Sequence, residues 1–416
     1  MTSTFASRLT SSAAFLLAAL ALWLPSGYSY GAVLLLLGAL CLAPCWLRQR
    51  PEAGTAWLAI LFVAMGCMWF LLSLDLGAAR WDKGSKWLLG VPCLFFIAAF
   101  PPRPRAFMAG LPTGCIGMGA LAAWQTWGQG LERATGFTNA IQWGNVALLL
   151  ACMALVCVAV FWHLRAWPWR LVMLLSALAG LGASLLSQSR GGWLALLVVL
   201  PMWLVIVKQL RPRLLRRALA MLAALAVVLV LVLGLTPRFQ ARIDLAGSQI
   251  MDYVSNGQGE TSLGVRLQQY QLGAEMIAQK PWQGWGAHGY VAEMHRRVEA
   301  GDYGPALIHY PEIHNIFLDA WVKVGILGVL LQVALFAVLL SLFWPSRGRL
   351  RHWPEDSAQW HEALALRAMG SLVPVCYLMF GMSQPFFNHN SGIMVFSFYT
   401  MVLWAALLGL ERDVRA

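Results

Sequence analysis

Long apolar stretches separated by short polar links recur along almost the whole chain. A helix needs about 20 apolar residues to cross the hydrocarbon core of a bilayer. Twelve stretches are of this kind, near residues 11–28, 30–47, 56–74, 87–101, 106–127, 141–162, 171–187, 192–207, 218–235, 315–343, 367–387 and 392–410. The pattern predicts an all-α polytopic membrane protein with about twelve transmembrane helices.

One link is much longer than the others, and no other feature of the sequence indicates a domain boundary. We therefore predict a single transmembrane domain over residues 1–416, with residues 236–313 as one long loop. Apolar residues recur at helical spacing between 263 and 277, which predicts a short helix inside this loop. A second short helix is predicted from 290 to 300.

Composition and charge agree with this interpretation. The chain is 59% hydrophobic and 12% charged, whereas soluble domains are about 25% charged. Basic residues concentrate in alternate short links, and such links stay in the cytoplasm. Both termini are therefore predicted to be cytoplasmic and the long loop extracytoplasmic. The net charge of +12 follows largely from this asymmetry. We predict no nucleic-acid partner, because the basic residues form no aromatic-interleaved patch.

The link between the seventh and eighth predicted spans reads Ser187-Gln188-Ser189-Arg190-Gly191-Gly192-Trp193. It is so short that the two helices must form a tight hairpin with Arg190 at its tip. A guanidinium beside helix-end amides suits a phosphate or pyrophosphate. We predict Arg190 as a phosphate ligand and Gln188 as a substrate contact. The alternative is an arginine that only extends to the membrane interface.

The long loop offers a second arginine and two tryptophans. Arg266 lies beside the apolar stripe of the first loop helix, although a lone surface arginine is more often simply solvated. Trp282 and Trp285 belong to the glycine-rich turn that follows this helix. Trp285 is a candidate for stacking on a sugar, while membrane-interface anchoring is the commoner role of tryptophan.

His314 and Asn315 stand where the chain re-enters the membrane at the tenth predicted span. A titratable residue at the mouth of an apolar span is costly to keep dry, which indicates a function. Within the first helical turn, the helix dipole would keep the imidazole neutral and able to act as a base. The alternative is a hydrogen-bonded interfacial histidine. We interpret Gly325 and Gly328 on the same predicted helix as sites of close helix packing.

The last link on the same predicted side is rich in amides: Gln384-Pro385-Phe386-Phe387-Asn388-His389-Asn390. Asn388 and His389 are candidate sugar contacts, and the alternative is a purely polar turn. The histidines and acids of the long loop show no HExxH-type spacing. We therefore predict neither a metal site nor a cofactor.

In this order and on one side of the membrane, the motifs resemble those of the O-antigen ligase family. This family is part of a wider superfamily of O-antigen ligases, polymerases and O-oligosaccharyltransferases of bacterial envelopes. The stretch 189–193 resembles the family's arginine motif, and Arg266 before Pro281-x-x-Gly284-x-Gly286 resembles its loop arginine. His314-Asn315, nine further residues and then Gly325-x-x-Gly328 resemble its histidine signature. Val329 departs from it, because Leu, Thr or Tyr usually follows the second glycine.

The resemblance implies an inner-membrane glycosyltransferase with an architecture similar to that of C-type glycosyltransferases, acting without a metal. It would transfer O-antigen glycan from undecaprenyl pyrophosphate to a sugar hydroxyl of the lipid A core at the periplasmic face. His314 would accept the hydroxyl proton while Arg190 and Arg266 bind the pyrophosphate, and the anomeric configuration would invert. The expected partners are the lipid-linked donor, the lipid A-core acceptor and membrane lipids. No oligomeric state is predicted.

Three other functions remain open. An O-antigen polymerase would share the donor and the topology, but polymerases are described with two sizeable outer loops. A protein-directed O-oligosaccharyltransferase would use the same donor, but such enzymes tend to carry an additional C-terminal region, which this chain is expected to lack. A lipid-linked glycan transporter is less favoured, since transporters usually bury charges at mid-membrane. Here Asp319 and Lys323 are the main such charges, and their i, i+4 spacing lets them pair with each other.

Overall fold

The computed structural model describes residues 2–75, 81–216, 219, 220, 223 and 262–415. Within these residues the regular secondary structure is helical, and no strand occurs. Nearly all of the ninth predicted span, 218–235, and the first part of the long loop, 236–261, lie outside the described residues. The all-α prediction is therefore confirmed for the described part of the chain.

The α-helices are numbered in chain order. They are α1 (Thr2–Leu20), α2 (Gly27–Cys41), α3 (Ala43–Trp46), α4 (Ala53–Asp75), α5 (Asp82–Ala99), α6 (Arg105–Ala123), α7 (Ala140–Phe161), α8 (Trp167–Leu186), α9 (Arg190–Trp193), α10 (Leu196–Leu210), α11 (Ser262–Gln279), α12 (Gly286–Glu299), α13 (Ile316–Val324), α14 (Ile326–Phe343), α15 (Arg347–Leu350), α16 (Ala358–Gly381) and α17 (Asn390–Arg415).

Length and hydropathy support a chain that crosses the membrane several times. Among the described residues, 8 helical segments are long and apolar enough to cross a bilayer. They comprise α4, α6, α7, α8, the segment formed by α9 and α10, α14, α16 and α17. Helix α2 is apolar but shorter. The protein is thus a multi-pass membrane protein, while the count of twelve spans remains a prediction.

The described residues group into two compact units. Unit 1 contains the described residues up to 199, except Asp75, and those from 331 onward; unit 2 contains Asp75 and the described residues from 200 to 330. The most apolar segment of each candidate span is buried inside the protein to a different extent. The buried share is 89% in α7, 83% in α16 and 94% in α17, compared with 33% in α8. A helix that is apolar all round can be buried on every side. These three helices therefore form the centre of unit 1.

Unit 2 has a core of its own, built by the part of the long loop that the structure describes. Residues from α11, α12, α13 and the links between them form it: Val265, Leu272, Met276, Tyr290, Met294, Tyr303, Leu307, Ile313 and Val322. The two predicted loop helices are confirmed as α11 and α12, although α12 begins at Gly286, earlier than expected. This core sets the position of α11 relative to the segment that precedes α13.

The tenth predicted span, 315–343, is not one continuous helix. It is divided into α13 and α14 at Gly325, whose φ is +80°. A Cβ on Gly325 would lie 2.0 Å from the backbone oxygen of Trp282, and a Cβ on Gly284 would lie 2.6 Å from the Gly325 nitrogen. The interpretation of Gly325 as a helix-packing site is therefore wrong. This glycine lets two backbone segments meet, because any side chain would separate them.

Candidate active site

His314 lies immediately before a helix in unit 2. Asn315 is the N-cap of α13, and its Oδ1 accepts hydrogen bonds from the Phe317 nitrogen at 3.0 Å and the Leu318 nitrogen at 3.1 Å. The prediction that His314 belongs to the first helical turn is therefore wrong. Asparagine satisfies helix-end amides well, so Asn315 takes the capping position. Its role as a substrate contact stays a prediction. The Oδ1 atom of Asn315 already accepts two hydrogen bonds from the helix.

A buried glutamine on α11 holds the segment that carries His314. The Nε2 of Gln269 donates to the Glu312 oxygen at 2.8 Å and to the Tyr310 oxygen at 3.3 Å. Its Oε1 accepts from the backbone nitrogen of His314 at 3.2 Å. Because all three partners are backbone groups of fixed polarity, they determine which end of the carboxamide faces His314. Gln269 itself is 0% exposed, whereas the backbone groups that it contacts are partly buried.

The same oxygen of Gln269 sets the tautomer of the neutral imidazole. The Nδ1 of His314 lies 2.8 Å from Gln269 Oε1. A carboxamide oxygen can only accept a hydrogen bond, so Nδ1 must carry the proton. The lone pair then resides on Nε2, which becomes the basic nitrogen. The arrangement supplies what a general base requires, namely a defined orientation and a defined acceptor atom.

An ion pair on α13 also binds the backbone of Ile313, the residue before His314. Asp319 Oδ1 accepts from the Ile313 nitrogen at 2.9 Å and lies 2.6 Å from Lys323 Nζ. Both side chains are buried. The sequence-based expectation that Asp319 and Lys323 pair with each other is confirmed. A buried ion pair with a further hydrogen bond tolerates little displacement, because separating the charges there is costly.

Arg266 occupies the same face of α11 as the residues that contact His314. Gln269 and Tyr270 follow it at i+3 and i+4, the spacings at which helical side chains are neighbours. The Tyr270 hydroxyl donates to the His314 oxygen at 3.1 Å. Burial raises the pKa of Tyr270, and the positive charge of Arg266 acts in the opposite direction. Arg266 therefore lies about one helical turn before Tyr270, whose hydroxyl contacts the backbone of His314.

Trp285 is anchored within the loop. Its indole Nε1 donates to the Met276 oxygen at 2.8 Å, and Lys280 Nζ lies 3.9 Å from the ring centroid. The ring also packs against the core of unit 2. Lysine against an indole face is a favourable cation–π arrangement. The predicted sugar contact of Trp285 stays a prediction, and Lys280 already occupies one face of the ring.

In unit 1, the tip that carries Arg190 is a rigid turn. Gln188 has a left-handed backbone with φ of +54°, and its Nε2 donates to the Glu132 oxygen at 2.8 Å. Arg133 Nε donates to the Ser187 oxygen at 3.0 Å. The side chain of Arg190 is exposed at the start of α9. In the part of the chain that the structure describes, no acidic side chain lies within ion-pair distance of it.

This tip contacts the last polar link within unit 1. A Cβ on Gly191 would lie 2.2 Å from Ser383 Oγ, so the two segments touch. Beyond Ser383, Gln384 Nε2 lies 2.8 Å from His389 Nε2. His389 also lines a cavity of about 110 Å³ with mostly polar walls. The other predicted contact in this link, Asn388, is buried.

The predicted site residues therefore fall into two groups. Unit 1 contains Arg190, Gln188, Asn388 and His389, and unit 2 contains Arg266, His314, Asn315 and Trp285. The convergence of all of them on one substrate stays a prediction. Among the described residues, no group of three or more His, Cys, Asp or Glu side chains is arranged to hold a metal ion.

Sequence reasoning missed Gln269. Glutamine does not titrate, and its partner His314 is 45 residues away in the chain. A signal was present, however, because Gln269 follows the candidate Arg266 by three positions on a predicted helix. A buried polar side chain on a helix face that is otherwise apolar requires a partner.

Comparison with known proteins agrees with the motifs. The O-antigen ligase family model matches residues 175–333, a stretch that contains Arg190, Arg266 and His314. A protein of Haemophilus influenzae, itself described as uncharacterized, is 26% identical over 387 residues, which cover 91% of this chain and 93% of that protein. The resemblance inferred from the sequence is thereby confirmed: residues 175–333 of this multi-pass membrane protein match the O-antigen ligase family model.

Proposed function

We propose that this protein is an O-antigen ligase of the bacterial inner membrane. It transfers O-antigen glycan from undecaprenyl pyrophosphate to a sugar hydroxyl of the lipid A core at the periplasmic face. The observation that carries this proposal is the 2.8 Å contact between Gln269 Oε1 and His314 Nδ1. This contact places the proton on Nδ1 and therefore the basic lone pair on Nε2. A general base that deprotonates a hydroxyl needs such an unprotonated nitrogen.

The reaction forms one carbon–oxygen bond and breaks another. Nε2 of His314 takes the proton of the acceptor hydroxyl while that oxygen attacks the anomeric carbon of the donor glycan. The bond from this carbon to the pyrophosphate oxygen breaks, and the undecaprenyl pyrophosphate leaves with its electron pair. Attack in line with the leaving group inverts the anomeric configuration. The proton on His314 then passes to solvent, which restores the base.

Negative charge develops on the pyrophosphate as it leaves, and the two arginines stabilise it. Fixed guanidiniums bind phosphate oxygens through charge-assisted, often bidentate hydrogen bonds. Such contacts are worth more in a partly dry site than in water, and they need no reorganisation during the reaction. Two observations support these roles: Arg190 is exposed on a rigid turn, and Arg266 shares a helix face with Gln269.

The remaining predicted residues serve substrate positioning in this proposal. His389 and the polar cavity that it lines are suited to the hydroxyl groups of a sugar, and Gln188 and Asn388 are proposed as further sugar contacts. Asn315 and Trp285 contact the substrate in this proposal, and they also maintain the start of α13 and the fold of the loop.

A reconstituted reaction tests the proposal. The purified protein is mixed with a lipid-linked glycan and lipid A-core, and the products are separated on a gel. A joined product that requires lipid A-core supports the ligase. Longer lipid-linked glycans without lipid A-core would identify a polymerase, and transfer to a protein acceptor would identify a protein O-oligosaccharyltransferase. Transbilayer flux of labelled donor without a new covalent bond would identify a transporter.

The base is tested by His314→Ala, with His309→Ala as a matched control in the same loop. His309 is exposed and belongs to a short 3-10 turn before the His314 segment. We expect His314→Ala to abolish transfer while His309→Ala retains it. Thermal unfolding should show that both variants are folded. Normal transfer by a folded His314→Ala protein would remove the proposed base.

A further inference from the structure

A second polar centre lies in unit 1, among residues that the proposed reaction does not use. It is a cavity of about 320 Å³ at the end of α14, where α15, α16 and α17 meet it. Its walls include the apolar side chains of Leu342, Trp353 and Trp404 and the guanidiniums of Arg349 and Arg367. The cavity therefore combines positive charge with a largely apolar lining.

Two guanidiniums converge on a single backbone oxygen in this cavity. Arg349 donates to the Leu342 oxygen at 2.7 Å, and Arg367 donates to the same atom at 3.0 Å. Arg367 also forms an ion pair with Glu411. Within the described residues, Arg349 has no carboxylate at ion-pair distance. The cavity thus carries two fixed positive charges against one negative charge, which favours an additional anion.

Two buried donor atoms on residues that line the cavity lack an acceptor among the described residues. They are Arg367 Nε and Trp353 Nε1. The two residues are only 3% and 4% exposed. Buried donors are normally satisfied, because a donor removed from water without a partner is costly. Both observations, the excess charge and the unsatisfied donors, point to a ligand that offers several negatively charged oxygens.

We propose that this cavity binds the phosphate headgroup of an anionic phospholipid. Arg349, Arg367 Nε and Trp353 Nε1 would donate to the phosphate oxygens, while the indoles and Leu342 contact the apolar part of the lipid. A lipid fits better than a soluble phosphate, because the cavity lies at the ends of three candidate membrane spans. Tryptophans concentrate at that level of a bilayer, and basic pockets between transmembrane helices bind anionic headgroups.

The test uses the full-length protein, purified in detergent and depleted of lipid. Thermal unfolding and native mass spectrometry are recorded with phosphatidylglycerol, phosphatidylcholine or inorganic phosphate. We expect phosphatidylglycerol alone to raise the unfolding midpoint and to remain bound, since a ligand stabilises the folded state that binds it. Equal effects of the two lipids would overturn the charge-based site. An equal effect of inorganic phosphate would overturn the lipid as its occupant.

Variants assign the effect to the cavity. Arg349→Gln should weaken phosphatidylglycerol binding at least about tenfold, because it removes a charge-assisted donor. Arg351→Gln is the matched control, since Arg351 is exposed and does not line the cavity. Trp353→Phe keeps the aromatic bulk but removes the Nε1 donor, and it should weaken binding by a few fold. Unchanged binding in both cavity variants, or equal weakening by the control, would refute the proposal.

Discussion

Replacing Gln269 by methionine is the sharpest test of how this protein sets its proposed base. Methionine has a similar length but makes no strong hydrogen bond, so the change removes four contacts without leaving a large cavity. Two of these contacts are 2.8 Å long, and the others are 3.2 and 3.3 Å. The His314 imidazole would lose the acceptor that keeps the proton on Nδ1.

The size of the effect follows from these contacts. A neutral hydrogen bond contributes about 0.5–1.5 kcal/mol net. If the bond to Nδ1 stabilises the productive tautomer and orientation by about 1.4 kcal/mol, kcat falls about tenfold. The other three lost contacts involve partly buried backbone groups of the 310–314 segment, and their loss should lower the free energy of unfolding by about 2–4 kcal/mol.

The assay measures initial ligation rates over a range of lipid-linked donor concentrations. We expect kcat to fall while KM for the donor changes little, because Gln269 orients the base and does not bind the pyrophosphate. Selective ¹⁵N labelling of histidine would report the change of tautomer directly by NMR. A folded Gln269→Met protein with unchanged kcat would refute the argument, as would a change confined to KM.

Gln268→Met is the matched control. Gln268 is equally buried, but its Oε1 accepts from the Gly304 nitrogen at 3.2 Å and it makes no contact with His314. It should lower stability while kcat is retained. Gln269→Glu is the complementary change, since its carboxylate still accepts from Nδ1 and stabilises the imidazolium. It should move the acidic limb of the pH–activity profile to higher pH.

Three further outcomes are expected. Arg266→Lys should weaken donor binding at least about tenfold in a direct binding assay, since a point charge cannot make the bidentate contact; unchanged affinity would contradict the pyrophosphate role. Gly325→Ala should unfold at a markedly lower temperature than Gly301→Ala, because both have positive φ but only Gly325 has backbone atoms within 3 Å of the added Cβ; equal losses would show that the close approach does not matter. A hydrogen bond from Arg296 holds the pKa of Glu293 at about 2, below its usual 4.5, so its stabilising contribution is complete above about pH 4.5 and disappears as the pH falls through 2. Glu293→Gln should remove this part of the acid dependence of unfolding, and an unchanged pH profile would argue against it.

The helices of this protein were largely predictable because hydropathy is a local property. Candidate spans such as α7 and α14 follow directly from runs of apolar residues. The cap at Asn315 was also encoded locally, since asparagine before an apolar helix is an N-cap signal. The sequence-based prediction instead extends the helix to His314, one residue before this cap.

Other features depend on contacts between distant parts of the chain. Hydropathy continues through Gly325, so the sequence predicts an unbroken helix there. The break is explained by the backbone of Trp282, which approaches too closely for a side chain. Gln269 likewise gains its importance only from a segment 45 residues away. Single-sequence patterns carry no information about such pairs.

The central position of α16 and α17 has a consequence for biogenesis. These helices are synthesised after the other described helices, yet they fill the middle of unit 1, as does α7 from much earlier in the chain. Gln142 on α7, for example, accepts a hydrogen bond from Ser391 on α17 at 3.3 Å. During translation, Gln142 therefore lacks its Ser391 partner until α17 has been inserted. A nascent chain that stops short of α17 would thus leave the Gln142 side-chain oxygen without this hydrogen bond, which distinguishes it from the folded protein.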